Sequence, residues 1–334
     1  MGQIYPKTRD YYKMAKCMTK IGIPYMGSKR QHSDRIYNTI QSLHPNSDTL
    51  VDLFCGGFAI SAYFLQNGWK VIANDKNKYV IALIQKAITG YFNYDTFDCK
   101  FITREEFMDV RDNPSKYEDW YVGYVLCVWS FGNNQRDYLF GKEIEYIKQA
   151  GHELVVNKNP ELILKLIPTF PKKYIEGIIK QKDWHLRRMA LIKVSKVMQN
   201  RKLELEQLER LERLEQLERL QQLERLEQLS HIKLCSLNYD EVTIPNGAIV
   251  YCDPPYKGTT QYRERGFDHD KFWDWVRQKS KTNPVYVSEY NAPEDFTVVA
   301  SWYRRSTLPA LLKTRTPDEK IFTLNVQSRL NNQN

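Results

Sequence analysis

Residues Thr49 to Ile60 read Thr-Leu-Val-Asp-Leu-Phe-Cys-Gly-Gly-Phe-Ala-Ile, an apolar run that ends in paired glycines. A helical pattern follows through Ala62, Tyr63, Phe64 and Leu65. Glycines at a strand exit let backbone approach a ligand closely, because no Cβ stands in the way. Lys70-Val71-Ile72-Ala73-Asn74-Asp75 then reads as the next strand. Its terminal acid is placed to accept from the ribose hydroxyls of a nucleoside-bearing cofactor. Strand, glycine turn, helix, strand and acid together describe half of a doubly wound α/β sheet with an adenosine-type ligand on its carboxyl edge.

A second strand exit carries different chemistry. The run Ala248-Ile249-Val250-Tyr251-Cys252 leads directly into Asp253-Pro254-Pro255-Tyr256. The prolines fix φ and lack an N–H, so the turn is stiff and its carbonyls stay free to accept. Asp253 and the Pro254 carbonyl can each take one N–H of an exocyclic nucleobase amine while Tyr256 stacks on the ring. Read alone, the tetrapeptide also fits a proline-stiffened surface turn.

Ahead of both lies Ile23-Pro24-Tyr25-Met26-Gly27-Ser28-Lys29-Arg30, a basic turn before a helical stretch from Ser33 to Leu43. In this order the three elements resemble the DNA adenine N6-methyltransferases of the Dam type, the alpha arrangement of amino-methyltransferases. The resemblance implies a Rossmann-like, S-adenosylmethionine-dependent methyltransferase sheet with an inserted, mainly helical target-recognition domain, acting on an adenine flipped out of double-stranded DNA. Tyr25 to Lys29 looks like the family's Pro-Tyr-x-Gly-Gly-Lys element beside the cofactor, with Ser28 in the second glycine's place. Asp52, Phe54, Gly56 and Gly57 resemble the Phe-x-Gly-x-Gly cofactor loop, with adjacent glycines and Phe58 where the last would stand. Asp75 matches the ribose acid, Asn238 falls where the family often has Asp or Asn near the cofactor adenine, and Asp253, Pro254, Pro255 and Tyr256 match the catalytic turn. The loop Ser130 to Gly141 resembles the one that touches DNA, which makes Asn133, Asn134 and Arg136 candidate contacts.

Charge is consistent with a polyanionic partner, with 49 Lys and Arg against 40 Asp and Glu. Residues 171–202 hold ten Lys or Arg against Glu176 and Asp183. Lys180, Lys182, Arg187 and Arg188 are therefore expected on phosphates. Tyr174 and Trp184 lie among them, equally suited to nucleic acid or to a core. After the catalytic turn, Lys257 to Asp268 is polar, and its Tyr262, Arg263 and Arg265 are further candidates.

From Leu205 to Leu229 leucine recurs at every third residue, with Glu, Gln and Arg between. On an α-helix each leucine lags the last by about 60°, so the stripe winds around the cylinder and no single apolar face results. The favourable i,i+4 pairs Glu206/Arg210, Glu209/Arg213 and Glu215/Arg219 argue for helix. The low complexity argues for an insertion dispensable to chemistry, from which Glu212 to Leu217 can be deleted in register.

Motif order sets the organisation. Residues 20–84 and 232–334 form the catalytic domain, and 85–231, including the leucine triplets at 203–230, the inserted one. No apolar stretch approaches 18 residues, and the N-terminus lacks a signal peptide's apolar centre, so a cytoplasmic protein of prokaryotic or phage origin, with no membrane partner, is expected. The cysteines at 17, 55, 99, 127, 235 and 252 show no ligand spacing, so neither a metal nor a disulfide is expected. Cys252, flanked by apolar residues, reads as buried packing rather than a nucleophile. A monomer or weak dimer is expected. The alternatives are a cytosine-N4 DNA methyltransferase, which shares most of this geometry, and a non-enzymatic DNA-binding module, which would need the basic segment but not Gly56, Gly57, Asp75 and Asp253 together.

Overall fold

The computed structural model describes residues 21–93, 96–199, 214–256, 266–302 and 318–325. The chain divides into two compact units, one built on Ser28–Ile81 and Leu229–Asn334, the other on Ala82–Gln228 with Gly22–Gly27.

The first unit is a seven-stranded sheet. Its strands are β1 (Thr49–Asp52), β2 (Lys70–Asn74), β3 (Ile232–Cys235), β4 (Ile249–Cys252), β5 (Val285–Glu289), β6 (Phe296–Trp302) and β7 (Glu319–Leu324). They lie in the order β3-β2-β1-β4-β5-β7-β6. The first five run parallel, and β7 is antiparallel to both β5 and β6. Every residue of β4 and β5 is buried, as parallel strands covered on both faces require. Val51, Val250, Val285, Val287, Phe272 and Phe322 share one apolar cluster.

Strand order reverses between β1 and β4, which neighbour each other although nearly 200 residues apart in the chain, with Asp52 opposite Tyr251. In open α/β sheets such a switch point opens a crevice at the carboxyl ends of the strands. Both strand-exit motifs therefore leave the sheet side by side, and Leu53 N–H donates to the Tyr251 carbonyl at 3.0 Å. Helix α1 (Ser33–Leu43) precedes β1, and α2 (Ala59–Gln66) follows its glycine turn.

Helix α3 (Lys78–Ile88) carries the chain onward, and the second unit is helical: α4 (Arg104–Asp112), α5 (Asp119–Val128), α6 (Lys142–Val155), α7 (Glu161–Leu166), α8 (Lys172–Ile179), α9 (Trp184–Gln199) and α10 (Glu215–Glu224). Thr103 caps α4, its hydroxyl accepting from Glu106 N–H at 3.2 Å.

Helix α10 is part of the leucine-triplet segment, and its leucines are packed rather than free-standing. Leu214, Leu217, Leu220, Leu223 and Leu226 are each at most 1% exposed. The winding stripe is the reason. Over the length of α10 the leucines sweep part of the cylinder and that part is enclosed, while Glu215 and Glu218 stay exposed, so α10 packs as a core helix of this unit rather than an appendage. Glu215 and Arg219 form their i,i+4 pair at 3.6 Å, while the pairs at 206/210 and 209/213 lie outside the described residues.

Candidate active site

The exit of β1 bends through Gly56, at φ 41°, into Phe58, whose φ of 64° is left-handed. That conformation favours glycine, so the backbone keeps the glycine-type turn although the side chain has changed. Burial holds it there, because Phe58 is fully enclosed. Phe54 is half-buried and stacks on Tyr239, ring centroids 5.6 Å apart.

Three acids stand along this edge. Asp52, at the end of β1, is 1% exposed and accepts from the Ser61 hydroxyl at 2.7 Å. Burial pushes its pKa up to about 7; the Ser61 bond opposes the rise, and Asp253 and Asp75 add to it. Its Oδ1 is buried with no well-formed hydrogen bond among the described residues. Asp75, just past β2, accepts from Gly56 N–H at 2.9 Å and Asn77 N–H at 2.8 Å. Burial raises its pKa against those two bonds. Each Asp75 oxygen takes one bond and keeps a second acceptor direction. Asn74 ties three strand exits together, donating to the carbonyls of Leu53 at 3.0 Å and Leu237 at 3.1 Å and accepting from Leu237 N–H at 3.0 Å. Asn238 follows on the exposed side, its backbone N–H donating to Glu241 Oε2 at 3.1 Å.

At the exit of β4, Lys29 Nζ lies 2.8 Å from Asp253 Oδ1 and 3.2 Å from Glu319 Oε1. The same ammonium sits over the Tyr256 ring, 4.7 Å from its centroid. The Tyr256 hydroxyl donates to Glu319 Oε1, and Tyr290 meets the ring edge-on at 4.7 Å. Burial opposes the Lys29 charge, and Asp253 and Glu319 outweigh it, so its pKa is held above the ordinary value. Burial lifts Asp253; Lys29 pulls it back only in part, and Glu319 adds to the rise. Pro254 is buried and Pro255 half-buried. The thiol of Cys252 is fully buried and pushed well above its usual range, first by burial, so it is no nucleophile.

Lys29, expected beside the cofactor, is thus placed on Asp253. Tyr25 is half-buried and belongs to the short stretch grouped with the helical unit. Glu319, Asn74 and Ser61 are the site residues that motif reading missed. Glu319 had no signal in the sequence, since 63 residues separate it from Tyr256. It reaches the site because β7 runs antiparallel and therefore begins at the edge where β5 ends. Asn74 had one, an amide closing the apolar run Val71 to Ala73.

The expected DNA contacts separate into three groups. Lys180 and Lys182 are exposed. Arg187 and Arg188 are 6% exposed and committed inward, which corrects their assignment to phosphates. Arg187 donates to the carbonyls of Val155, Val156, Gln181 and Lys182, and Arg188 pairs with Glu218. Trp184 is buried alongside. In the loop, the Asn134 side chain closes its own turn, accepting from Arg136 and Asp137 N–H at 2.9 Å and donating to Asp137 at 2.7 Å. Asn133 is half-buried at φ 58°, while Arg136 is 76% exposed and Phe131 66% exposed. Tyr262, Arg263 and Arg265 lie outside the described residues.

A parallel sheet with a glycine turn and an acid at one strand exit, and an Asp-Pro-Pro-Tyr turn at the neighbouring exit, defines a Rossmann-like methyltransferase. Residues 25–150 match the family model of the D12 class N6 adenine-specific DNA methyltransferase. That stretch holds the Tyr25 to Lys29 turn, the Asp52 to Gly57 loop, Asp75 and the Ser130 to Gly141 loop. The match supports an adenine-specific DNA methyltransferase of this Dam-like class, one that transfers a methyl group to adenine N6 at specific sites in DNA. Among the described residues no group of side chains is arranged to hold a metal ion, and no helix is long and apolar enough to cross a membrane.

Proposed function

We propose that the methyl donor is S-adenosylmethionine and that the adenine is flipped out of duplex DNA onto the Asp253 turn. The observation that carries this reading is the pair of strand exits, which sets Asp75 and the Gly56 turn beside Asp253 and Tyr256 at one switch point. The donor set fits the cofactor. Asp75 has acceptor directions left for ribose hydroxyls, Asp52 ends the strand that leads into Gly56 and Gly57, the glycines allow close approach, and Phe54 and Asn238 border the same edge. When bound there, S-adenosylmethionine supplies an electrophilic methyl group.

The amine of adenine is a poor nucleophile because its lone pair is conjugated with the ring. Asp253 and the Pro254 carbonyl each accept a hydrogen bond from one of its two N–H groups and so favour the pyramidal form in which the lone pair is available. As N6 gains positive charge, Asp253 stabilises it, and the lifted pKa makes Asp253 the better acceptor of the departing proton. Lys29 keeps Asp253 ionised until then, and Glu319 fixes both Lys29 and the Tyr256 hydroxyl, which sets the plane of the stacking ring. The helical unit is the target-recognition domain. Lys180 and Lys182 hold phosphates, and Arg136 on the Ser130 to Gly141 loop reads the sequence. The enzyme acts as a monomer or weak dimer.

The test is calorimetry with S-adenosylmethionine, then labelled methyl transfer offered to duplex DNA, RNA and protein. Binding and transfer to DNA alone are expected. Asp75→Ala weakens cofactor binding by about 1–3 kcal/mol through loss of a charged acceptor, with DNA affinity unchanged. Label on RNA or protein contradicts the assignment, and unchanged cofactor affinity in Asp75→Ala removes Asp75 from the ribose.

A further inference from the structure

The leucine-triplet helix carries one side chain whose partners lie on the loop assigned to DNA. Arg219 is 11% exposed, and a single guanidinium nitrogen, Nη1, lies 2.7 Å from both the Val128 and the Ser130 carbonyl oxygens. Val128 ends α5, so its carbonyl is one that the helix leaves without an internal partner. Ser130 is the first residue of the loop and its clasp. It bridges Tyr138 in antiparallel fashion, and its hydroxyl accepts from Gln135 N–H at 3.0 Å. Phe131 N–H donates to the Asp137 carbonyl at 2.7 Å, and Leu139 N–H to Trp129 at 2.8 Å. One cation therefore joins the end of a helix to the base of the loop that exposes Phe131 and Arg136.

The leucine pattern fixes where that cation points. With Leu217, Leu220 and Leu223 buried around it, α10 can neither roll nor slide without exposing apolar surface, and Arg219 stays at one azimuth. Burial lowers the Arg219 pKa, and Glu215 opposes that. Arginine stays charged through such a shift, and Nη1 carries two N–H donors, one for each carbonyl, on a planar group whose direction is fixed by the rest of the guanidinium.

We propose that Arg219 is a positioning residue for sequence recognition, and that the leucine triplets serve to lock it beneath the loop. This rests on the reading of Ser130 to Gly141 as a DNA-contacting loop, and the test separates the two. The methylated sequence is first read from plasmid DNA treated with the wild-type enzyme. The kcat/KM is then measured on that duplex and on duplexes with one base pair changed, for wild type, Arg219→Met, Arg219→Lys, Arg136→Ala and the double variant Arg136→Ala with Arg219→Met. Arg219→Met is expected to lower discrimination by about tenfold, the scale of one side chain's base readout. Arg219→Lys falls between it and wild type, the double variant discriminates no worse than Arg136→Ala, and cofactor affinity stays within about twofold.

Reduced thermal stability of Arg219→Met with unchanged discrimination overturns the proposal and leaves Arg219 a helix cap. If Arg136→Ala lowers discrimination while Arg219→Met does not, the loop reading stands and the proposal alone falls. If Arg136→Ala changes nothing, the loop reading falls and takes the proposal with it. Should Arg219→Met not fold, hydrogen exchange in Arg219→Lys decides: faster exchange at the Gln135 and Phe131 amides supports the proposal, and unchanged exchange overturns it.

Discussion

The two units use buried charge in opposite ways. In the sheet unit, Asp52, Asp75, Asp253, Lys29 and Glu319 gather at strand ends, where burial shifts the pKa of the three aspartates upward and acceptor capacity is left over. In the helical unit, the buried cations Arg187 and Arg219 are spent on carbonyl oxygens, and Arg188 on Glu218. Acceptor capacity left at strand ends in the first marks a place for a ligand; guanidinium groups turned onto carbonyls and Glu218 in the second mark a scaffold, although Arg188 Nε keeps no partner among the described residues. Charge density along the chain does not distinguish the two, because Arg187 and Lys182 look alike until their partners are known.

The largest effect that this contrast predicts is at Asp253. Asp253→Ala is expected to lower single-turnover methylation by about a thousandfold or more, since both the amine acceptor and the counter-charge are lost, while calorimetry finds cofactor affinity within several-fold. Near-normal turnover would place the chemistry elsewhere.

Asp52 should show its unsatisfied charge as a pH-dependent stability. Its folded pKa of about 7 lies above the unfolded value, so ionisation disfavours the fold, and stability attributable to this group is lost as pH rises from about 4 through 7. Asp52→Asn is therefore expected to match wild type near pH 4 and to exceed it by up to about 4 kcal/mol at pH 8 in denaturant titrations. An equal difference at both pH values would mean that Asp52 is not held protonated.

In the helical unit the corresponding loss is apolar and independent of pH. Leu220→Ala, in the middle of α10, should cost about 3 kcal/mol through the lost transfer energy and the cavity left behind. A cost below about 0.5 kcal/mol would return the triplets to the status of a tolerated insertion.

The smallest effects separate the cations. Lys180→Ala and Lys182→Ala should each reduce the salt dependence of DNA binding by about one unit of slope with no change in Tm. Arg187→Ala should lower Tm and leave the slope alone, because its guanidinium is turned inward onto carbonyl oxygens. The reverse pattern would put Arg187 in the interface.

Legibility follows the same divide. The glycine turn, Asp75 and the Asp253 turn were visible because each lies within a few residues of a strand end, where periodicity and turn chemistry act locally. Helix α1 was read at its full extent, Ser33 to Leu43, for the same reason. Glu319 was invisible because its role depends on the direction of β7, a property of the sheet and not of the segment. The burial of Arg187 and of the leucine triplets was invisible because it depends on what surrounds a helix, and a pattern winding around the cylinder names no side. Phe58 marks the limit of motif matching, since the left-handed turn persists without the glycine that signals it.

The central claim is tested most directly by nucleoside mass spectrometry of duplex DNA incubated with the enzyme and methyl-labelled S-adenosylmethionine. The label is expected in N6-methyladenine and to be absent from DNA treated with Asp253→Ala. Label in N4-methylcytosine, or N6-methyladenine formed equally by the Asp253→Ala protein, would contradict it.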